Sequence, residues 1–276
     1  TPWARGGNFN TGRSDASGAG IQTASLIFSG SVSGSGTGKT EQYNGSSWTE
    51  VNDLNTSREN GANGNGLSYS AALMTTGNAP PVVANTESWD GSSWTEVNDV
   101  NTARTNLASS GSSTSAIASG GNVPPHTAAT EIWDGSSWTE TTDLNTSRYV
   151  CEGAGQSSSS ALNVGGYTNT RVDNVEQWDG SSWTEIAELN TTRYSVGITV
   201  AAPVNNVLVF GGESPASTPG ETHTEFWNGT SWTELNNLSQ ARWDITGSGT
   251  GGASALAAGG NQSPTAGTEE WTASLA

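Results

Sequence analysis

The side chains that could do chemistry in this 276-residue chain fall into those that recur and those that do not. Glu41, Glu87, Glu131, Glu176, Glu225 and Glu269 each stand two positions before an aromatic residue, and Glu50, Glu96, Glu140, Glu185 and Glu234 two after a Trp. Paired carboxylates of this kind are what glycoside hydrolysis requires. Arg13, Arg58, Arg104, Arg148, Arg193 and Arg242 recur beside them. Such a set could line a polar channel. The expectation is plainer: one hydrogen-bonded Arg–Glu pair per unit, since Arg presents a planar fork that a carboxylate satisfies when both are buried. Chemistry that occurs once needs a break in the pattern. The breaks are His126, His223, Tyr167 and Arg171, together with the aromatics that directly follow a recurring Arg: Tyr149, Tyr194 and Trp243. The two histidines are far apart and carry no metal-ligand spacing, so neither a metal nor a cofactor is expected. Cys151 is the only cysteine, which excludes a disulfide framework, and it reads as an inert core residue.

What must position these residues is a repeat. Trp-Asp-Gly-Ser-Ser-Trp-Thr-Glu occurs at Trp89–Glu96, Trp133–Glu140 and Trp178–Glu185, with variants at Tyr43–Glu50 and Trp227–Glu234. The pattern returns about every 45 residues, a period typical of repeat architectures. Units start at Trp3, Trp48, Trp94, Trp138, Trp183 and Trp232, and each of these Trp is followed ten positions later by the recurring Arg. The end of the chain holds the missing part of the first unit: Glu269-Glu270-Trp271 matches Glu225-Phe226-Trp227 but lacks the turn and second Trp that follow there. A unit split between the termini points to a closed ring in which the Trp3 segment completes the last sheet. Residues 1–276 therefore read as one domain.

Each unit reads as four short strands. A small-residue stretch such as Gly61-Ala62-Asn63-Gly64 comes first, then an apolar run ending in Gly such as Leu208-Val209-Phe210-Gly211-Gly212. A loop of about ten residues should follow, then one strand ending at the first aromatic and another beginning at the second Trp. The Asp-Gly or Asn-Gly between the last two strands is a strong hairpin signal, because both residue types tolerate positive φ.

The order apolar strand, Gly-Gly, aromatic, Trp, then a short segment ending in Arg resembles the kelch repeat over essentially the whole chain. Gly30 and Gly77 lack the second Gly, and Leu-Asn-Thr-x-Arg stands where Pro-rich segments are common. The resemblance implies an all-β, six-bladed β-propeller of four-stranded antiparallel blades, with the last blade closed by the N-terminal strand. The dense Trp-Asp-Gly-Ser-Ser-Trp-Thr-Glu wording is similar to kelch-like virion proteins (tail fibres or appendages) of marine bacteriophages. A kelch enzyme of the galactose oxidase type needs a Cys–Tyr crosslink and His ligands, and no such set surrounds Cys151. Asp-Gly-Ser-Ser-Trp is also similar to the Asp box of sialidases, but it lacks the residue between Asp and Gly.

The charge excludes more. Nine Lys and Arg against 26 Asp and Glu give −17, a field that repels phosphate backbones and anionic membranes. No apolar run approaches the roughly 20 residues of a membrane-spanning helix. The start at Thr1 reads as a processed product or part of a longer chain. The expected function is non-enzymatic binding at a virion surface or other extracellular setting, to a host-surface glycan or protein or to other virion proteins. There is room for a homo-oligomer, and no nucleic acid or membrane insertion is expected. A structural virion or filament component and a glycan-processing enzyme are the alternatives. The ligand-contact candidates are Trp243, Tyr149, Tyr194, His126, Tyr167, Arg171 and His223, all on the face that carries the second-to-third-strand loops and the connections between units.

Overall fold

A computed structural model describes residues 2–215, 220–261 and 265–273. It forms six four-stranded antiparallel sheets arranged as the blades of a β-propeller, with no helix among the described residues. The innermost strands are Ser17–Ile21, Asn65–Ser68, Ala108–Ser112, Glu152–Ser157, Gly197–Ile198 and Thr246–Gly251, in blades 1 to 6. Each touches the next, and the sixth touches the first, so the ring is closed. The outermost strand of blade 6 is the N-terminal strand Trp3–Arg5. It pairs with Thr268–Thr272, Trp3 lying opposite Trp271 and Arg5 opposite Glu269.

The ring centre is crowded, which explains the small residues there. A Cβ on Gly153 would lie 2.3 Å from the Ser109 carbonyl oxygen of blade 3, and one on Gly247 would lie 2.1 Å from that of Ile198. The apolar core is divided into slabs between neighbouring blades. Trp89 and Trp94 of blade 2, for example, pack on Leu26 and Phe28 of blade 1. Trp133 and Trp138 repeat this on blade 2, and Trp178 and Trp183 on blade 3. Eleven of the Trp are buried; Trp243 is half-buried. The indoles also tie blades together: Nε1 of Trp94, Trp138 and Trp183 donates to Oγ1 of Thr40, Thr86 and Thr130 in the preceding blade, each at 3.1 Å. Trp3 does the same to Thr224 at 3.0 Å, so the seam uses the same joint as blades 2 to 4, whereas Trp48 and Trp232 donate to the carbonyls of Gly7 and Ala187.

Two local expectations need correction. In the hairpins between third and fourth strands only the glycine takes positive φ, as at Gly91 (97°) and Gly135 (97°). The Asp before it keeps an ordinary φ and acts through its carboxylate: Asp90 Oδ1 accepts from the Ser92 and Ser93 amides, both at 2.8 Å. In blade 2 the strands run long, Ala71–Asn78 and Val82–Trp89, so the expected ten-residue loop shrinks to residues 79–81. Val82 and Val83 favour extended backbone, and Pro80-Pro81 confines the turn.

Candidate functional site

The recurring charges are structural. All six Arg–Glu pairs form within a blade: Arg13–Glu41 (3.4 Å), Arg58–Glu87 (3.1 Å), Arg104–Glu131 (3.3 Å), Arg148–Glu176 (3.0 Å), Arg193–Glu225 (2.8 Å) and Arg242–Glu269 (3.2 Å). In the second pair both side chains are fully buried. The carboxylate also holds the incoming connection. Glu87 Oε2 accepts from the backbone N–H and side-chain Nδ2 of Asn55 (2.7 and 2.9 Å), and Oε1 from the Thr56 amide (3.2 Å). Asn55 Nδ2 also donates to the Trp94 carbonyl. The preceding Leu54 is buried. Leu-Asn-Thr-x-Arg is thus a latch: the apolar residue plugs into the core, Asn and Thr grip the Glu, and Arg neutralises it. Burial pulls the pKa of Arg13, Arg58, Arg104, Arg193 and Arg242 down, and the partner Glu opposes that shift. A guanidinium remains charged under such a shift. The turn acids are likewise committed locally, since the amides of their own turns hold Asp90 and Asp179 at about 2.

The latches place two positions per blade on the loop face, free of core duties. One is the residue after the Arg and the other the residue after the glycine that ends the second strand, and the two join through backbone hydrogen bonds. The pairs are Ser14 with Ser31, Glu59 with Asn78, Thr105 with Asn122, Tyr149 with Tyr167, Tyr194 with Glu213, and Trp243 with Asn261. Blades 1 to 3 place small or polar residues there, and blades 4 to 6 supply all the aromatics.

Blades 3, 4 and 5 bring five of the candidates into one cluster. His126 stacks on Tyr149 (centroids 6.0 Å apart), Tyr149 meets Tyr167 edge-on (5.6 Å), and Tyr167 meets Tyr194 edge-on (5.9 Å). Arg171 lies over the Tyr194 ring at 5.1 Å and pairs with Glu213 at 3.3 Å. The Tyr194 hydroxyl donates to Glu213 Oε2 at 2.5 Å. Burial, then the Glu213 carboxylate, pushes the Tyr194 pKa up to about 12, so the hydroxyl stays a donor. These side chains are all half-buried, each with part of its surface open. Glu213 was not anticipated as the anchor; the available signal was an acid directly after Gly-Gly, where the neighbouring blades carry Tyr or Asn.

The remaining candidates lie apart. His223 Nδ1 is 2.7 Å from Glu221 and its Nε2 is 3.6 Å from Glu234. The Trp243 ring faces Gly220, and its carbonyl accepts from the Asn261 amide at 2.9 Å. Residues 216–219 of the blade 5 loop, also part of the expected ligand face, lie outside the described residues. Cys151 is buried, and burial raises its thiol pKa. Among the described residues no group of three or more His, Cys, Asp or Glu is placed to hold a metal.

One further set shares the ring axis. The residues two after each Arg (Asp15, Asn60, Asn106, Val150, Ser195 and Asp244) all have φ between 50° and 54°. Several are linked around the axis: the amides of Asn106, Val150, Asp244 and Asp15 donate to the carbonyls of Asn60, Asn106, Ser195 and Asp244 at 2.7–3.1 Å. They rim a small axial cavity of about 50 Å³ that also receives Glu152. Burial, reinforced by Asp244, raises Asp15 to about 7, and burial with both Asp residues raises Glu152 well above the carboxylate range. Tyr149 and Tyr194 directly precede Val150 and Ser195, so the aromatic cluster stands beside the mouth of this axis.

Comparison with protein-family models gives no match to this chain, and comparison with curated proteins gives none either.

Proposed function

We propose that this protein is a non-enzymatic binding module whose ligand contact is the aromatic cluster on blades 3 to 5. The observation that carries the reading is the grouping of Tyr149, Tyr167 and Tyr194, at ring positions that the core leaves free, with His126 and Arg171 of the adjoining loops. Aromatic faces bury large area at little conformational cost, and Glu213 orders Tyr194 and Arg171 before any ligand arrives. The non-enzymatic part rests on where the acids are: the recurring Glu are held by Arg and backbone amides, and the turn Asp by their own turns. The resemblance to kelch-like virion proteins supports an extracellular setting on a phage tail fibre or appendage, with a host-surface glycan or protein as partner.

The test is a glycan and cell-envelope binding screen with the purified protein. At least one bacterial surface ligand should bind, and Tyr167→Ala should weaken it ten-fold or more while leaving the melting temperature near that of the parent. Binding that ignores Tyr167 and Tyr194, or turnover of a glycoside, would sink this reading.

A further inference from the structure

The opposite face of the ring carries the hairpins between first and second and between third and fourth strands. Most of these hairpins follow the repeat. The junction of blades 1 and 2 breaks it at three places that converge. Tyr43 stands where the other blades carry the first Trp, Tyr69 occupies a hairpin tip that is Ser113 in blade 3 and Ser158 in blade 4, and Asn44 replaces the Asp of the turns in blades 2 to 4. Together with Thr23, Gln42 and Thr49 these residues line an open groove of about 420 Å³. That volume lies within the roughly 300–1,000 Å³ of small-molecule sites.

Each break has a chemical consequence. In blades 2, 3, 4 and 6 the first indole donates to the carbonyl of the blade's own first hairpin: Trp89 to Tyr69, Trp133 to Ser113, Trp178 to Ser158 and Trp271 to Gly252. By strand register the corresponding carbonyl in blade 1 belongs to Gln22. Tyr43 is smaller than Trp and has no indole N–H to give it; its hydroxyl bonds Glu270 instead. The substitution therefore takes away the larger ring that the other blades place beside this hairpin, and the groove opens there. Asn44 uses its Oδ1 on the Ser46 and Ser47 amides, as the Asp residues do, but presents an Nδ2 donor where they present a second carboxylate oxygen. Tyr69 leaves 41% of its surface in solvent, more than any other aromatic among the described residues. The lining contains no Asp, Glu, Lys, Arg or His, in a molecule of net charge −17.

We propose that this groove is a second binding site, for a small neutral saccharide. Its hydroxyls would give to Thr23 and Gln42 and accept from Asn44, and an apolar sugar face would rest on Tyr69. The site is independent of the aromatic cluster on the other face.

Saturation-transfer NMR with the methyl glycosides of glucose, galactose, mannose and N-acetylglucosamine at millimolar concentration tests it, with glucuronic and N-acetylneuraminic acids as comparators. At least one neutral glycoside should receive saturation. Tyr69→Ser should weaken its binding at least ten-fold. Tyr43→Trp, which restores the residue of the other blades, should close the groove and abolish the signal, and Tyr167→Ala on the opposite face should leave it unchanged. No transfer to any neutral glycoside, transfer to the acids alone, a signal indifferent to Tyr69→Ser, or one lost with Tyr167→Ala would each overturn the proposal.

Discussion

At the scale of single residues, the repeat separates side chains that hold the ring from those released for other work. Glu87 takes hydrogen bonds from an Asn and a Thr amide and pairs with an Arg, and its counterparts are held by an Arg and the amides of the incoming connection, Ser239 in the case of Glu269, so they offer little to a substrate. Val150 differs from them: it sits at φ 52°, where a β-branched residue is strained, while Asn60 and Asn106 occupy the same position of other blades at 54° and 53°. Asn adopts this region more readily, and a left-handed conformation costs other residues about 1–2 kcal/mol. Val150→Asn should therefore raise stability by about 1 kcal/mol, read as a shift in the urea midpoint with an unchanged slope. The strain at Val150 adjoins Tyr149, and relief of it without loss of ligand affinity would separate the two roles.

At the scale of elements, the blade is the unit and the innermost strand sets how closely blades approach. Gly153→Ala puts a methyl group against the Ser109 carbonyl, where backbone rather than a flexible side chain must give way. The expected cost is about 1–3 kcal/mol, as for other overpacked sites, seen in thermal or denaturant unfolding. Most of this level was legible in the sequence. Trp-Asp-Gly-Ser-Ser-Trp marks a hairpin and Leu-Asn-Thr-x-Arg marks a connection, because the blades solve the same burial problem with the same or closely related residues. Strand limits in blade 2 were less legible: Asn65, not Gly61, begins its inner strand, and Val82–Val83 extend another. Nor could the sequence say that Asp90 would keep ordinary φ, since its role depends on the amides its carboxylate happens to reach. The aromatic cluster was legible only as departures from pattern. Its assembly around Glu213 depends on three neighbouring blades and has no local signature.

At the scale of the whole molecule, closure gathers groups that sequence distance conceals. Asp15, Glu152 and Asp244 come from blades 1, 4 and 6 and meet at the axis. Asp15 is raised from 3.8 to about 7, and Glu152 and Asp244 move in the same direction. A carboxyl that holds its proton more tightly when folded stabilises the fold fully below its unfolded pKa, and that contribution is lost as pH rises through the folded value. The melting temperature should accordingly fall between pH 4 and pH 7, the window set by the Asp15 shift. Asp15→Asn, which installs the residue found at the same position of blades 2 and 3, should flatten that slope; calorimetry across this range checks it. The seam has a consequence of another kind. Trp3–Arg5 runs antiparallel to Thr268–Thr272, and Thr272 N–H also bonds the Pro2 carbonyl, so both chain ends leave blade 6 at the same edge. Tension applied between Pro2 and Ala273 would load that strand pair like a zipper, one rung at a time, rather than in shear. The ring would open mechanically at blade 6 first, with the other five blades still intact.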